Sequence, residues 1–465
     1  MNQAAPPPAW HGTAIADAVA RRDTGAYMAA LDELRITKLR SQLAYCFANP
    51  YYGARMRQAG IAAAREVDTI SAFRALPAFM TKADHRASQA ESRERKGHPF
   101  GMHLCAKLED VIHVAGTSGT TGLPTFYLFT QQDLDNAYVT LHRLWRAAGI
   151  RRGDTVLHLF GLSIWVAGIT MMQSLEVYGA RPIPLGAEAG VTKALQYLET
   201  CRPRVVMATP SMLRLLIERA RSDLGRDACG FGVEVIVAGG EPGLAIPEVR
   251  QALMDGFGAP IFDMAAGAWH NAALECGGPA HQGLHYHAED LCFRYDLVDP
   301  ETRAPLPLVD GAVGEAIHTA LQYEAAPALR YATGDVMQLH LGECPHCGLF
   351  GARYAFVGRA DDLLNVAGVK IYPAAVQEVV SGFAPALSGS MEIMLNRAPP
   401  RVVPPLRLTV EAGLAVPGDD WPALRARVEQ RVHEALKVRC EVTIVGTNQL
   451  QRTGLKTKLI RVLGA

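Results

Sequence analysis

Between Thr155 and Gly243 the chain alternates short apolar runs of β type with helical stretches, and this alternation restricts the fold more than any other feature. ARPIPL, RVVMAT and VEVIVAGGEPG read as strands, and residues 193–200 and 211–220 between them carry helical periodicity. Strands that alternate with helices imply a mostly parallel sheet with helices on its faces. Such sheets bind ligands beyond the carboxyl ends of their strands. Gly239 and Gly240 stand at one such end, followed by Glu241 and Pro242.

Upstream, residues 111–130 read VIHVAGTSGTTGLPTFYLFT, two β-type runs joined by a loop. Gly116, Gly119 and Gly122 let the backbone approach a ligand closely, and Thr117, Ser118, Thr120 and Thr121 add uncharged donors suited to phosphate oxygens. No Gly-Lys-Ser/Thr follows, so this is not a Walker loop. Downstream, RYATGDV places Asp335 after a tight Thr-Gly turn, where a carboxylate can accept two hydrogen bonds from a ribose diol or can cap a turn. A further cluster, VGRADDLLNVAGVKIYP, carries Arg359, Asp361 and Gly368.

A chain of 465 residues exceeds what a single hydrophobic core serves, so two or three domains are expected. Beyond Asp361 the strand RLTVEAG, the helix DDWPALRARVEQRVHEAL, the strand CEVTIV and a basic tail form an α+β unit of roughly 100 residues. The expected division is therefore 1–360 and 361–465. Lysine plus arginine (46) equals aspartate plus glutamate (46), which leaves no global field to draw nucleic acid or a membrane surface. The uncharged stretch 155–175 contains His158, Ser163 and Gln173 and reads as a buried core element rather than a membrane span. Within it Phe160 and Trp165 bring aromatic bulk that can wall a flat apolar pocket or fill the core. Residues 17–60 and 131–148 read as helices, and 83–96 as a solvated surface helix without chemistry. Nine cysteines and a start with neither basic nor apolar character suggest reduced thiols and a cytoplasmic setting.

Taken together, TSGTTGLPT, AGGEP, YATGD, GRADD with VAGVKIYP, and RTGLK near the end resemble, in order, the motifs of the adenylate-forming superfamily of acyl-CoA synthetases. Thr125, ALPAFMTKADHR and NPYYGARMRQAG resemble its phenylacetate-CoA ligase branch in particular. The resemblance implies a large α/β adenylation domain with mixed and parallel sheets, followed by a small mobile α+β domain. It implies an ATP-dependent, AMP-forming ligase that joins a carboxylic acid, aromatic by branch, to coenzyme A through an acyl adenylate. Thr117 to Gly122 would hold the β- and γ-phosphates, Gly239 to Pro242 would line the adenine pocket, and Asp335 would take the ribose. Arg359 and Asp361 would be nucleotide contact and hinge. Lys456, with Lys458 as the alternative, would bridge the carboxylate and the α-phosphate, and Phe160 and Trp165 would face the acid. The partners implied are small molecules, and a homodimer is allowed. An amine or carrier-protein thiol as acceptor, and a catalytically impaired nucleotide-binding homologue, stay open beside this reading.

The sequence departs from the pattern where the family carries an aromatic-Gly-x-Ser/Thr-Glu motif whose glutamate helps to bind magnesium. Here the run is IFDMAAGAWHNAALEC, and Ala266 falls about where the glutamate belongs. Asp263 or Glu275 could substitute, or phosphates and water could hold the ion. Cys344-Pro-His-Cys347 is half of a tetrahedral thiolate site. The branch resemblance supplies Cys276 with His285, or His281, as the other half of a structural zinc site. A redox CxxC lacks its usual context here, and free thiols are the remaining alternative.

Overall fold

The computed structural model describes residues 13–117, 124–241, 243–413, 417–447, 449–450 and 459–463. The nucleotide-loop positions Ser118, Gly119, Thr120, Thr121 and Gly122, together with Pro242, Lys456 and Lys458, lie outside the described residues.

Five helices open the chain: α1 (Thr13–Ala20), α2 (Thr24–Ala48), α3 (Pro50–Gln58), α4 (Ile70–Arg74) and α5 (Lys82–Lys96). Each later start is set locally. Asp23 accepts the Ala26 N–H at 2.9 Å to cap α2, and Thr81 with Asp84 forms a reciprocal capping box on α5. The expected solvated helix is α5, but its inner face buries His85, Ser88, Gln89 and Ser92. Polarity there is internal. The Ser88 hydroxyl lies 2.8 Å from His103 Nδ1, and Gln89 Oε1 accepts the Phe126 N–H at 3.2 Å.

The hairpin β1 (His113–Thr117) and β2 (Thr125–Phe129) supplies the two expected strands, antiparallel with Thr117 opposite Thr125. There follow α6 (Gln131–Ala147), β3 (Thr155–His158), α7 (Ile169–Tyr178), β4 (Arg181–Pro184), α8 (Gly190–Cys201), β5 (Val205–Ala208), α9 (Pro210–Leu224), β6 (Val235–Gly239), α10 (Pro247–Phe257) and β7 (Ile261–Ala266). β4, β3, β5, β6 and β7 pair in parallel. Val206, Ala208, Ile236 and Ala238 pack on one face of this sheet, and Val205, Met207, Val235 and Val237 on the other. Covering both faces requires the continuous apolar runs seen in the sequence. The uncharged stretch 155–175 resolves into β3, a connection and α7, and no described helix is long and apolar enough to cross a membrane.

The sheet then continues in antiparallel fashion through β8 (Ala272–Leu274), β9 (Leu284–Tyr286), β10 (Cys292–Val298), β11 (Val313–Ala320), β12 (Tyr331–Glu343) and β13 (Phe350–Arg359). Its full order is β10-β11-β12-β13-β9-β8-β7-β6-β5-β3-β4, eleven strands. After β13 come β14 (Leu364–Val366), β15 (Val369–Ile371), α11 (Pro373–Ser381), β16 (Leu387–Leu395), β17 (Arg401–Val402), β18 (Leu406–Ala412), α12 (Trp421–Leu436), β19 (Cys440–Val445) and β20 (Ile460–Val462). They form a three-stranded and a four-stranded sheet over a separate core that includes Val376, Ile393, Leu408 and Val428. The chain is thus a large mixed α/β domain followed by a smaller α+β domain.

Burial lowers His85, His158 and His270 from an ordinary 6.5 to about 4 in each case. Between those values the unfolded chain binds protons that the folded chain refuses, so stability falls as the pH drops. From these three rings, urea midpoints are expected to decline as the pH falls from 6.5 towards 4. His158→Phe should make that decline shallower, and an unchanged slope would show that His158 is not one of the groups responsible.

Candidate active site

The carboxyl ends of β6 and β7 form the floor of the site. Gly239 lies against β7 so closely that a Cβ would stand 2.1 Å from the Met264 carbonyl oxygen, and Gly240 turns the chain with φ of +84°. Both positions exclude a side chain, the first by contact and the second by conformation. Glu241 follows, and its Oε2 accepts from the Ser211 N–H at 3.1 Å and the Ser211 hydroxyl at 2.6 Å. Its carboxylate therefore ties the glycine turn to the first turn of α9, where unsatisfied N–H groups favour negative charge.

Above the floor, β1 ends at Thr117, whose Oγ1 is buried without a hydrogen-bond partner among the described residues. A buried hydroxyl left so is costly unless a ligand engages it. Gly116 is held by its N–H on the Ile164 carbonyl at 2.6 Å and bridges to Trp165. Trp165 is half-buried beside Gly161, whereas Phe160 is buried in the core with its ring 5.6 Å from that of His158. A crevice opens at the end of β7, lined among others by Phe129, Val166, Met171, Ala266 and His270. Neither Phe160 nor Trp165 lines it. Sequence reasoning missed the lining residues, although the unusual run GAWHN after β7 marked the place.

The second wall is the hairpin of β12 and β13. Asp335 and Arg359 stand opposite each other in its register, and Arg359 Nη1 donates to Asp335 Oδ1 at 2.7 Å and to the Thr333 carbonyl at 2.9 Å. Arg359 Nε reaches Asp361 at 3.1 Å. Burial works against the guanidinium charge, but the two carboxylates overcome it and hold Arg359 more firmly protonated than usual. Gly334 is required between them: its φ is +75°, and a Cβ would lie 2.5 Å from Arg359 Nη2.

Neither carboxylate considered as a magnesium ligand is free. Glu275 is fully buried with Arg250, 2.7 Å away, and also accepts the Gly277 N–H at 2.8 Å. Asp263 Oδ2 lies 3.1 Å from His281 Nε2. Removing either member of the Arg250–Glu275 pair would strand a buried charge, so the pair is structural. Its position also steadies Cys276, the next residue.

At the other end of the hairpin, one ligand atom each from Cys276, His285, Cys344 and Cys347 lies within 4.8 Å of the others. The sulfurs of Cys276 and Cys344 are 3.8 Å apart, and Cys347 Sγ is 3.6 Å from His285 Nε2. A tetrahedron with thiolate bonds of ~2.3 Å has edges of ~3.8 Å, so the donor set fits a zinc ion. His281, committed to Asp263, is not part of it. Burial opposes a charge on His285, but its hydrogen bonds with Cys344 and Cys347 reverse this and raise the ring to about 9. The cluster is a place that favours a cation.

Comparison with known proteins agrees with this architecture. Residues 41–317 match the AMP-binding enzyme family, and residues 368–463 match the AMP-binding enzyme C-terminal domain. The phenylacetate-coenzyme A ligase of Thermus thermophilus is 30% identical over 387 residues, 79% of this chain and 84% of that one. The structure of 2-hydroxyisobutyryl-CoA ligase in its postadenylation state with 2-HIB-AMP superposes with a TM-score of 0.83 at 25% identity, covering 95% of this chain and 91% of that one. The same enzyme in its thioesterification state, with 2-HIB-AMP and CoA, gives 0.67 at 26% identity over the same shares. The two domains here are therefore disposed more nearly as in the former. By its two matched domains and its phenylacetate-CoA ligase relatives, the chain belongs to the AMP-binding enzymes and is an AMP-forming acyl-CoA ligase.

Proposed function

We propose that this ligase activates an aromatic or similarly flat carboxylic acid and passes the acyl group to coenzyme A. The observation that carries the acid class is the crevice at the end of β7, whose walls include the apolar side chains of Phe129, Val166 and Met171. Small-molecule sites are lined predominantly by apolar side chains with a few polar groups among them. The phenylacetate-coenzyme A ligases among its relatives support a ring-bearing acid.

In this reading the acid carboxylate attacks the α-phosphate of ATP, pyrophosphate leaves, and the coenzyme A thiol then displaces AMP. Catalysis is mostly positioning and neutralisation of charge. Thr117 and the loop to Gly122 hold the β- and γ-phosphates, the Thr117 hydroxyl, without a partner among the described residues, supplying one contact. Gly239, Gly240 and Pro242 line the adenine pocket, and Glu241, whose Oε2 is held by Ser211, contributes through its backbone. Asp335 receives the ribose hydroxyls with Arg359 fixing its orientation. Lys456 brings its ammonium to the carboxylate and α-phosphate. Magnesium, when bound, would neutralise phosphate charge; Glu275 is committed to Arg250, and Asp263 holds His281 through one carboxylate oxygen.

The partners of Arg359 lie on either side of the turn at Ala360, so rotation at Asp361 exchanges one carboxylate contact and keeps the other. Such a pivot would carry Lys456 away and admit the thiol. Cys276, His285, Cys344 and Cys347 hold a structural zinc, since four protein ligands leave no open position.

Acid-dependent ATP–pyrophosphate exchange is expected with arylacetic or benzoic acids, together with thioester formation from free coenzyme A. Turnover confined to short aliphatic acids would remove the aromatic assignment. Lys456→Ala should slow exchange by about 10²- to 10³-fold or more while leaving thioester formation from supplied acyl adenylate largely intact. If both half-reactions survive, the lysine has been misassigned.

For the metal, elemental analysis of purified protein should find zinc equimolar with the chain. Cys344→Ser should remove it and lower the melting temperature. Metal-free wild-type protein with an unchanged melting temperature would refute the structural zinc.

A further inference from the structure

Between β7 and β8 the chain makes a short excursion through Gly267, Ala268, Trp269, His270 and Asn271, where the family's magnesium motif would run. Trp269 and His270 have φ of 62° and 60°. Two successive side-chain-bearing residues in the left-handed region form a strained arrangement that persists only where its surroundings hold it. They do so here. Gly267 N–H donates to the Asn271 carbonyl at 2.9 Å, and Trp269 Nε1 donates to the Ala326 carbonyl at 2.8 Å. The indole is packed between the rings of Tyr127 and Tyr331, at 5.0 and 4.8 Å.

The strained backbone presents His270 to the crevice. The residue is 3% exposed and lines the cavity. Its Nε2 stands 3.1 Å from the Gln322 carbonyl oxygen. A carbonyl only accepts, so Nε2 carries the proton. Burial keeps the ring neutral, with its pKa lowered to about 4 against the pull of the Gln322 carbonyl and Asp290. A neutral imidazole has one N–H, so Nδ1 is left as a lone-pair acceptor, buried and without a partner among the described residues. Thr140 lines the same cavity, and its hydroxyl donates to the Asn136 carbonyl at 3.2 Å, leaving its lone pairs as acceptors also. This wall offers acceptors that have already spent their own hydrogens.

We propose that the acid bound in this crevice carries a hydrogen-bond donor, a hydroxyl or amino group, that His270 Nδ1 receives. The inference rests on the reading of the crevice as the acyl pocket and narrows it to donor-bearing acids. A buried acceptor left unpaired penalises the analogue that lacks the donor.

The test uses the full chain and matched acids differing only in the donor: phenylacetic and benzoic acids against their hydroxy, amino and methoxy derivatives, and isobutyric against hydroxyisobutyric acids. Binding is measured by calorimetry and activation by ATP–pyrophosphate exchange. For at least one position of substitution, the donor-bearing acid should be favoured about tenfold or more over both its unsubstituted and methoxy partners. His270→Phe should abolish or invert that ratio, and His270→Gln, which keeps an acceptor oxygen, should retain part of it. Equal treatment of all partners by the wild type, or a ratio that survives His270→Phe, would overturn the proposal. Should His270→Phe fail to fold, the wild-type ratios decide. Donor-selective binding without exchange would sink the ligase reading and keep the donor inference. Exchange without donor preference would do the reverse.

Discussion

The register of the β12–β13 hairpin is the constraint on which the rest of the site depends. It sets Asp335 opposite Arg359 at its open end and Glu343 opposite Phe350 at its turn, where the Cys344–Cys347 knuckle begins. Because side chains alternate across a strand, a slip of one residue would turn Asp335 to the opposite face and part it from Arg359. The irregularity between Val336 and Met337 lies next to Asp335, and bulges of this kind re-aim the side chains beside them. The hairpin turn is in turn fastened by Cys276, just past β8, and by His285 in β9, which pairs directly with Arg353. A metal held by those four residues would thus lock the far end of the element that carries Asp335 and Arg359.

The same strands connect the two halves of the chemistry. β8 follows the strained Trp269–His270 excursion and precedes the Arg250–Glu275 pair, so crevice, buried ion pair and cysteine cluster are successive stations on one path. The missing family glutamate is then less an isolated loss than part of a rebuilt connection. Where a carboxylate would face magnesium, this chain has Ala266 and a neutral buried imidazole. The acidic residues nearest in sequence are committed to Arg250 and His281.

Much of this was legible in the sequence, for stated physical reasons. The parallel strands β3, β5 and β6 are buried on both faces and so read as unbroken apolar runs, and the glycine pair Gly239–Gly240 marks a close approach and a left-handed turn. The antiparallel half was not legible. β8 and β9 have three residues each, too few for a period to emerge, and their pairing depends on contacts distant in sequence. The charged look of α5 concealed a buried face because Ser88 and Gln89 find partners at His103 and Phe126, which no local pattern reveals. Glu241 and Glu275 could be noticed as carboxylates but not as partners of Ser211 and Arg250. Phe160 shows the same limit: bulk among small residues marks a core as readily as a pocket, and here the ring packs on His158.

The most direct test of the account is whether nucleotide is read at the open end of the hairpin. Calorimetric titration of AMP against 2′,3′-dideoxy-AMP would compare wild type with Asp335→Asn. The account predicts that the wild type prefers AMP by about tenfold or more and that the variant loses this preference with its fold intact. Equal affinity of the wild type for both nucleotides, or a preference that outlasts the substitution, would contradict it.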